Sequence, residues 1–134
     1  MSSAHDAPPE GRPKVLIVDD NEVSRMVARE SLELGGFDVV ELASPVGMSS
    51  VVSREKPDVV LMDVEMPAME GDKAVEILLK HRLHDCQVLL YSGRDPSELE
   101  RLARECGARG FVSKSVTDEA LAQAIRAHLG TDLP

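Results

Sequence analysis

Two adjacent carboxylates, Asp19 and Asp20, a third at Asp63, a hydroxyl at Ser92 and an amine at Lys114 share one circumstance. Each follows a short apolar run, directly or within two residues. In open α/β sheets, ligands bind beyond the carboxyl ends of the strands, near the point where strand order reverses, so these residues are read as one set. If the first and third strands are neighbours, about 4.8 Å apart, three carboxylates crowd one edge. Their mutual repulsion then calls for a positive partner. Lys114 is one candidate, and a hard divalent cation is another. Carboxylates with nearby backbone carbonyls suit Mg²⁺, which takes octahedral oxygen ligands and keeps several waters. A cation, an amine, a hydroxyl and a spare carboxylate can together hold a transferring phosphoryl group. The carboxylate can itself be the nucleophile and become an aspartyl phosphate.

Taken singly, the same residues have plainer meanings. Asp19-Asp20 can be a turn and helix cap, and Ser92-Gly93 a simple turn. Asp63 can be a loop acid. Only their joint placement favours chemistry.

The elements that must position them follow from the apolar pattern. Runs at 15–18, 39–42, 59–62, 88–91 and 110–112 end at successive steps of 24, 20, 29 and 21 residues. Each step fits a strand plus a crossover helix, the rhythm of βαβ units. The runs are continuously apolar rather than alternating, as in a parallel sheet covered on both faces. Between them lie five helical patterns. In the first, Val23, Met26, Val27 and Leu34 form the expected inward stripe, Leu32 falls on the opposite side, and Gly35 marks the stop. Ser44-Pro45 is expected to open the second, with proline at the first helical position. The third spans about 72–82. Asp95-Pro96-Ser97-Glu98 caps the fourth, and Thr117 begins the fifth. The fold class is α/β, doubly wound, with five parallel strands and five helices.

Composition closes off other functions. The 134 residues make one domain, 43% hydrophobic, with a formal charge of −9 that argues against nucleic acid. Three aromatic residues, Phe37, Tyr91 and Phe111, provide no stacking platform for single strands. No apolar run approaches the roughly 20 residues of a membrane span. Cys86 and Cys106 lack metal or redox spacing, as do His5, His81, His84 and His128, and a reducing, cytoplasmic setting is expected. Residues 1–13, with three prolines, are expected to be a disordered tail before a domain at 14–130, with a short tail at 131–134.

Four segments carry a family resemblance. Val15-Leu16-Ile17-Val18-Asp19-Asp20-Asn21-Glu22, Met62-Asp63-Val64-Glu65-Met66-Pro67-Ala68-Met69-Glu70-Gly71, Tyr91-Ser92-Gly93 and Phe111-Val112-Ser113-Lys114 resemble the response-regulator receiver domains of two-component signalling, the family of the chemotaxis regulator CheY. The resemblance runs from Lys14 to about Leu129 and implies the strand order 2-1-3-4-5. By it, Asp63 is the phosphoacceptor and Asp20 a direct Mg²⁺ ligand, with Asp19 acting through water and the Glu65 carbonyl completing the set. Lys114 pairs with Asp63 and then with the phosphoryl group. Ser92 hydrogen-bonds a phosphoryl oxygen, and Phe111 is the switch aromatic. The donor is a histidine kinase or a histidine phosphotransfer protein. The output face, formed by the fourth helix, fifth strand and fifth helix, meets a downstream protein or a second copy. The first helix, with Leu32, is where kinases dock in relatives. Glu65 and Arg94 take positions that flank the water attacking the acyl phosphate and so tune its lifetime.

The sequence departs from the family at Ser115, where proline often follows the lysine. Only residues 130–134 follow the last helix, so the chain is read as a single-domain regulator. The alternatives are a phosphorelay shuttle or phosphate sink, a piece of a larger regulator or hybrid kinase, and a phosphorylation-independent interaction module. Phosphatases of the haloacid dehalogenase type also form an aspartyl phosphate, but they require Asp-x-Asp after the first strand. A flavodoxin-like binder would carry a Ser/Thr/Gly-rich loop there. Neither pattern is present: Asp19-Asp20 is followed by Asn21.

Overall fold

Valine, isoleucine and leucine in unbroken runs make strands only where both faces are covered, and Val15 to Val18 and Val59 to Met62 are all fully buried. The computed structural model describes residues 12–64, 86–114 and 118–130. Along the chain these form β1 (Lys14–Val18), α1 (Glu22–Leu34), β2 (Asp38–Leu42), α2 (Met48–Glu55), β3 (Val59–Asp63), β4 (Gln87–Ser92), α3 (Pro96–Cys106), β5 (Gly110–Ser113) and α4 (Asp118–Gly130). The strands are parallel and ordered β2-β1-β3-β4-β5. Strand order and class are as expected. The expected third helix at 72–82, Glu65, Ser115 and Thr117 lie outside the described residues, so four of the five helical patterns can be compared.

The sheet separates two aliphatic layers. On one face, Leu16, Val18, Val60, Met62, Val88 and Leu90 pack with Met48, Val51 and Val52 of α2 and Leu99, Ala103 and Cys106 of α3. On the other, Val15, Ile17, Val59, Leu61, Leu89, Tyr91 and Val112 meet Ala28 and Leu32 of α1 and Leu121, Ala122 and Ile125 of α4. Full burial of each large aliphatic side chain contributes about 1.5–3 kcal/mol. Among the described residues no helix is long and apolar enough to cross a membrane.

Three local expectations are corrected. The stripe of α1 faces the wrong way. Val23 (62% exposed), Met26 (50%), Val27 (42%) and Leu34 (89%) look outward, whereas Leu32 is fully buried beside Ala28 and Ser31. The inward row is Ala28, Ser31 and Leu32, with Gly35 at the helix end, and its small members admit a close neighbour. A Cβ placed on Gly35 would stand 2.6 Å from the Ala122 Cβ of α4. A side chain at position 35 would hold the two helices apart there.

Nor does Pro45 open α2. Its carbonyl accepts from Met48 N–H at 3.0 Å, and the Ser44 hydroxyl accepts from Val46 N–H at 3.1 Å, which makes a turn. Gly47, at φ 80°, then swings the chain into the helix through a conformation that L side chains avoid.

The last correction concerns strand ends. β3, β4 and β5 each run one residue further than the apolar runs, to Asp63, Ser92 and Ser113. The ladder itself carries these polar residues, pairing Asp63 with Tyr91 and Ser92 with Ser113. The cap at Asp95 is as read: it accepts from Ser97 N–H at 3.1 Å with Pro96 at the first turn. The cap of α1 is Asn21, not the preceding acidic pair; its Oδ1 accepts from Ser24 N–H at 2.8 Å.

Candidate functional site

Side chains two apart on a strand share a face. Ile17, Leu61, Leu89 and Val112 all belong to the layer under α1 and α4. The same parity brings Asp19, Asp63, Tyr91 and Lys114 together at the carboxyl edge, and their contacts agree. Lys114 Nζ lies 3.0 Å from Asp19 Oδ2, 3.7 Å from Asp63 Oδ2 and 5.3 Å from the centre of the Tyr91 ring. β1 and β3 are neighbours, so the anticipated crowding occurs. One carboxylate oxygen from each of Asp19, Asp20 and Asp63 lies within 4.8 Å of the others.

The three carboxylates differ in surroundings. Asp20 is exposed, and Asp63 is only 3% exposed. Asp19 is fully buried and saturated with donors. Its Oδ1 accepts from Asn21 N–H at 2.9 Å. Its Oδ2 accepts from the Ser24 hydroxyl at 2.7 Å and from Lys114. Burial pushes the Asp19 carboxyl up. The bonds from Ser24, the Asn21 amide and Lys114, with the lysine charge, outweigh that and hold it below the ordinary value of 3.8. The backbone of Asp19 is fixed as well. Its N–H donates to Leu42 O at 3.1 Å. Its carbonyl accepts from Arg25 at 2.8 Å, and Arg25 pairs with Glu41 at 3.1 Å.

Ser92 is fully buried at the end of β4. Two residues beyond Leu90, it belongs by parity to the α2/α3 face of the sheet. Its hydroxyl accepts from Arg94 N–H at 3.0 Å, and its carbonyl accepts from Lys114 N–H at 2.8 Å. The loops after β4 and β5 are thus tied to each other. Arg94 reaches Glu98 of α3 at 3.8 Å. Phe111 is half-buried, packs against the Leu90, Leu99 and Ala103 cluster, and lines a groove of about 390 Å³ with Ala103, Arg104, Ala108 and His128.

Of the residues singled out in the sequence, Asp19, Asp20, Asp63 and Lys114 converge, with Ser92 tied to Lys114 through the backbone and Phe111 one strand away. Glu65 lies outside the described residues. Reading by motif missed Ser24, Arg25 and Tyr91. The available signal was parity: Tyr91 stands in register with Asp63 on the adjacent strand. For Ser24, the signal was its place in the first turn of the helix that follows Asp19. Three hard carboxylate oxygens with one amine leave an excess of negative charge, a donor set that suits a hard divalent cation such as Mg²⁺.

The family model of the response regulator receiver domain matches residues 15–126. Protein PilH of Pseudomonas aeruginosa is 31% identical over 117 residues, spanning 87% of this chain and 97% of its own length. A cyclic di-GMP phosphodiesterase of Thermotoga maritima is 35% identical over 107 residues, 80% of this chain but 28% of that protein. The chain spans between 28% and 56% of the length of the first curated relatives it matches. Among solved structures, the chemotaxis response regulator CheY4 of Vibrio cholerae superposes with a TM-score of 0.79 at 24% identity. That match covers 87% of this chain and 98% of CheY4, and it speaks to fold.

Proposed function

This chain belongs to the response regulator receiver domain family, and from that membership we propose that Asp63 accepts a phosphoryl group and thereby switches a protein-binding face. The observation that carries the reading is the convergence of Lys114 on Asp63 and Asp19, with Asp20 beside them at the open edge.

The donor in this reading is a phosphohistidine of a histidine kinase or a phosphotransfer protein. A carboxylate oxygen of Asp63 attacks phosphorus. The P–N bond breaks, and the imidazole nitrogen keeps the electron pair. The product is an aspartyl phosphate, which water later hydrolyses to phosphate and the carboxylate. Lys114 sits where it can meet the charge that develops on the transferring group, since a fixed cation in a water-poor site costs no reorganisation during reaction.

Receiver domains generally bind Mg²⁺ near such an acidic cluster. Here Asp19, Asp20, Asp63 and the Glu65 carbonyl would hold it. Asp19 already accepts three hydrogen bonds, which favours Asp20 and Asp63 as the direct ligands and Asp19 as a ligand through water. Mg²⁺ bound there supplies countercharge to the phosphoryl oxygens.

The Ser92 hydroxyl, in this reading, leaves the Arg94 amide for a phosphoryl oxygen, and its buried place vacates room that Phe111 fills. The face of α3, β5 and α4 then changes its fit to a downstream protein or a second copy. The chain catalyses no reaction on a separate substrate. A cytoplasmic setting accords with two cysteines that remain thiols.

Intact mass after incubation with acetyl phosphate and Mg²⁺, beside an Asp63→Asn control, tests the proposal. A metal-dependent gain of one phosphoryl group, absent from the control, is expected. A gain of equal size in Asp63→Asn would overturn the assignment of Asp63.

A further inference from the structure

We propose that Tyr91 is a positioning residue for Lys114, holding the amine over Asp63 through the face of its ring. The inference rests on the reading of Asp63 as phosphoacceptor and gives a role to a residue that the resemblance leaves without one.

Lys114 stands on a turn after β5, at the end of a flexible four-carbon stem, and its amine is a compact charge that follows the strongest local attraction. Two carboxylates compete for it unequally. Asp19 lies at hydrogen-bonding distance, 3.0 Å, whereas Asp63 lies at 3.7 Å. The amine is hydrogen-bonded to Asp19, so keeping it within ion-pair distance of Asp63 as well calls for a third neighbour.

The third neighbour is the Tyr91 ring, its centre 5.3 Å from Nζ. That is inside the roughly 6 Å reach over which the negative face of an aromatic ring attracts a cation. Register explains why the ring is there. Tyr91 pairs with Asp63 across β3 and β4 and with Val112 across β4 and β5. It therefore stands between the strand that ends in the acceptor and the strand that leads to the amine. Tyr91 is 7% exposed, and removal of water strengthens the attraction of its ring for a cation. An aliphatic residue at 91 would fill the space but exert no such pull. The phenol hydroxyl takes no part in this role.

The ring also gives Lys114 a contact that survives the reaction. When Asp63 becomes an acyl phosphate its carboxylate charge is replaced by phosphoryl oxygens farther out, while Tyr91 is unchanged. The amine then stays placed to meet those oxygens.

Phosphorylation rates with acetyl phosphate and saturating Mg²⁺, measured on the full chain, test this. Tyr91→Phe keeps the ring and should stay within about twofold of the unaltered protein, while Tyr91→Leu should slow phosphorylation by about fivefold or more. In a Lys114→Ala background, Tyr91→Leu should add no further loss. The inference is overturned if Tyr91→Leu reacts normally, if Tyr91→Phe is slowed equally, or if Tyr91→Leu costs as much without Lys114 as with it.

Proton NMR of the unaltered protein gives a check that needs no Tyr91 variant to fold. The Lys114 ε-methylene protons, assigned by Lys114→Arg, should be shifted upfield by the ring. Shifts equal to those of exposed lysines would overturn the geometry. Failure of the unaltered protein to gain a phosphoryl group would instead count against the reading of Asp63.

Discussion

The hydroxyl of Ser24 donates a 2.7 Å hydrogen bond to Oδ2 of Asp19, the same oxygen that Lys114, beyond β5, approaches at 3.0 Å. The backbone N–H of Ser24 is held in turn by Asn21 Oδ1 at 2.8 Å. The first turn of α1 is therefore clamped to the acidic edge by one residue that the loop itself caps. Ser24→Ala should lower stability at pH 7 by about 1–2 kcal/mol, as expected when a buried carboxylate loses one of several donors. The pH dependence has a definite sign. The folded Asp19 carboxyl lies below its ordinary 3.8. Its contribution is therefore present above about pH 4 and lost as pH falls through the lower folded value. Urea midpoints at pH 7 and pH 3 in Mg²⁺-free buffer should differ less for Ser24→Ala than for the unaltered protein.

Arg94 is tied to Ser92 through its amide and to Glu98 through its guanidinium. In the proposed reading it flanks the path of the hydrolytic water together with Glu65. Arg94→Ala and Glu65→Ala should each hasten decay of the phosphorylated protein, by about two- to tenfold. Phosphate release after removal of donor measures this, and unchanged decay in both variants would exclude a gate at these positions.

His128 offers a second pH prediction. Burial, and then the charge of Arg109, lower its pKa below the ordinary 6.5. The folded state thus prefers the neutral ring. That contribution is whole above about pH 6.5 and is lost as pH falls through the folded value. His128→Gln should remove this part of the pH dependence, read as a smaller difference between urea midpoints at pH 8 and pH 5.

Two leucines two positions apart on α1 should behave oppositely. Leu32 is fully buried and Leu34 is 89% exposed. Leu32→Ala should cost about 2–5 kcal/mol, and Leu34→Ala no more than about 0.5 kcal/mol. Equilibrium unfolding of the pair would settle which face of α1 is the core face.

The primary sequence determined the class of fold and the set of acids at its edge. Continuous aliphatic runs at βαβ spacing leave a covered parallel sheet as the way to bury them, and polar residues placed just after those runs must gather at its carboxyl end. Asp19, Asp20, Asp63 and Lys114 were legible for that reason, because their roles depend on strand ends and not on the details of packing. Tertiary structure alone decided the rest. Hydrophobicity ranked Val23, Met26 and Leu34 above Ala28 and Ser31, yet the close approach of Ala122 to Gly35 accompanies a face on which Ala28 and Ser31 are buried beside Leu32. Likewise, nothing local at Tyr91 names Lys114 as its partner. Tyr91 meets Lys114 because β4 lies in register between β3 and β5. Contacts between residues far apart in the chain are set by register and by the distance between packed elements, and neither is written in the order of residues along one strand or helix.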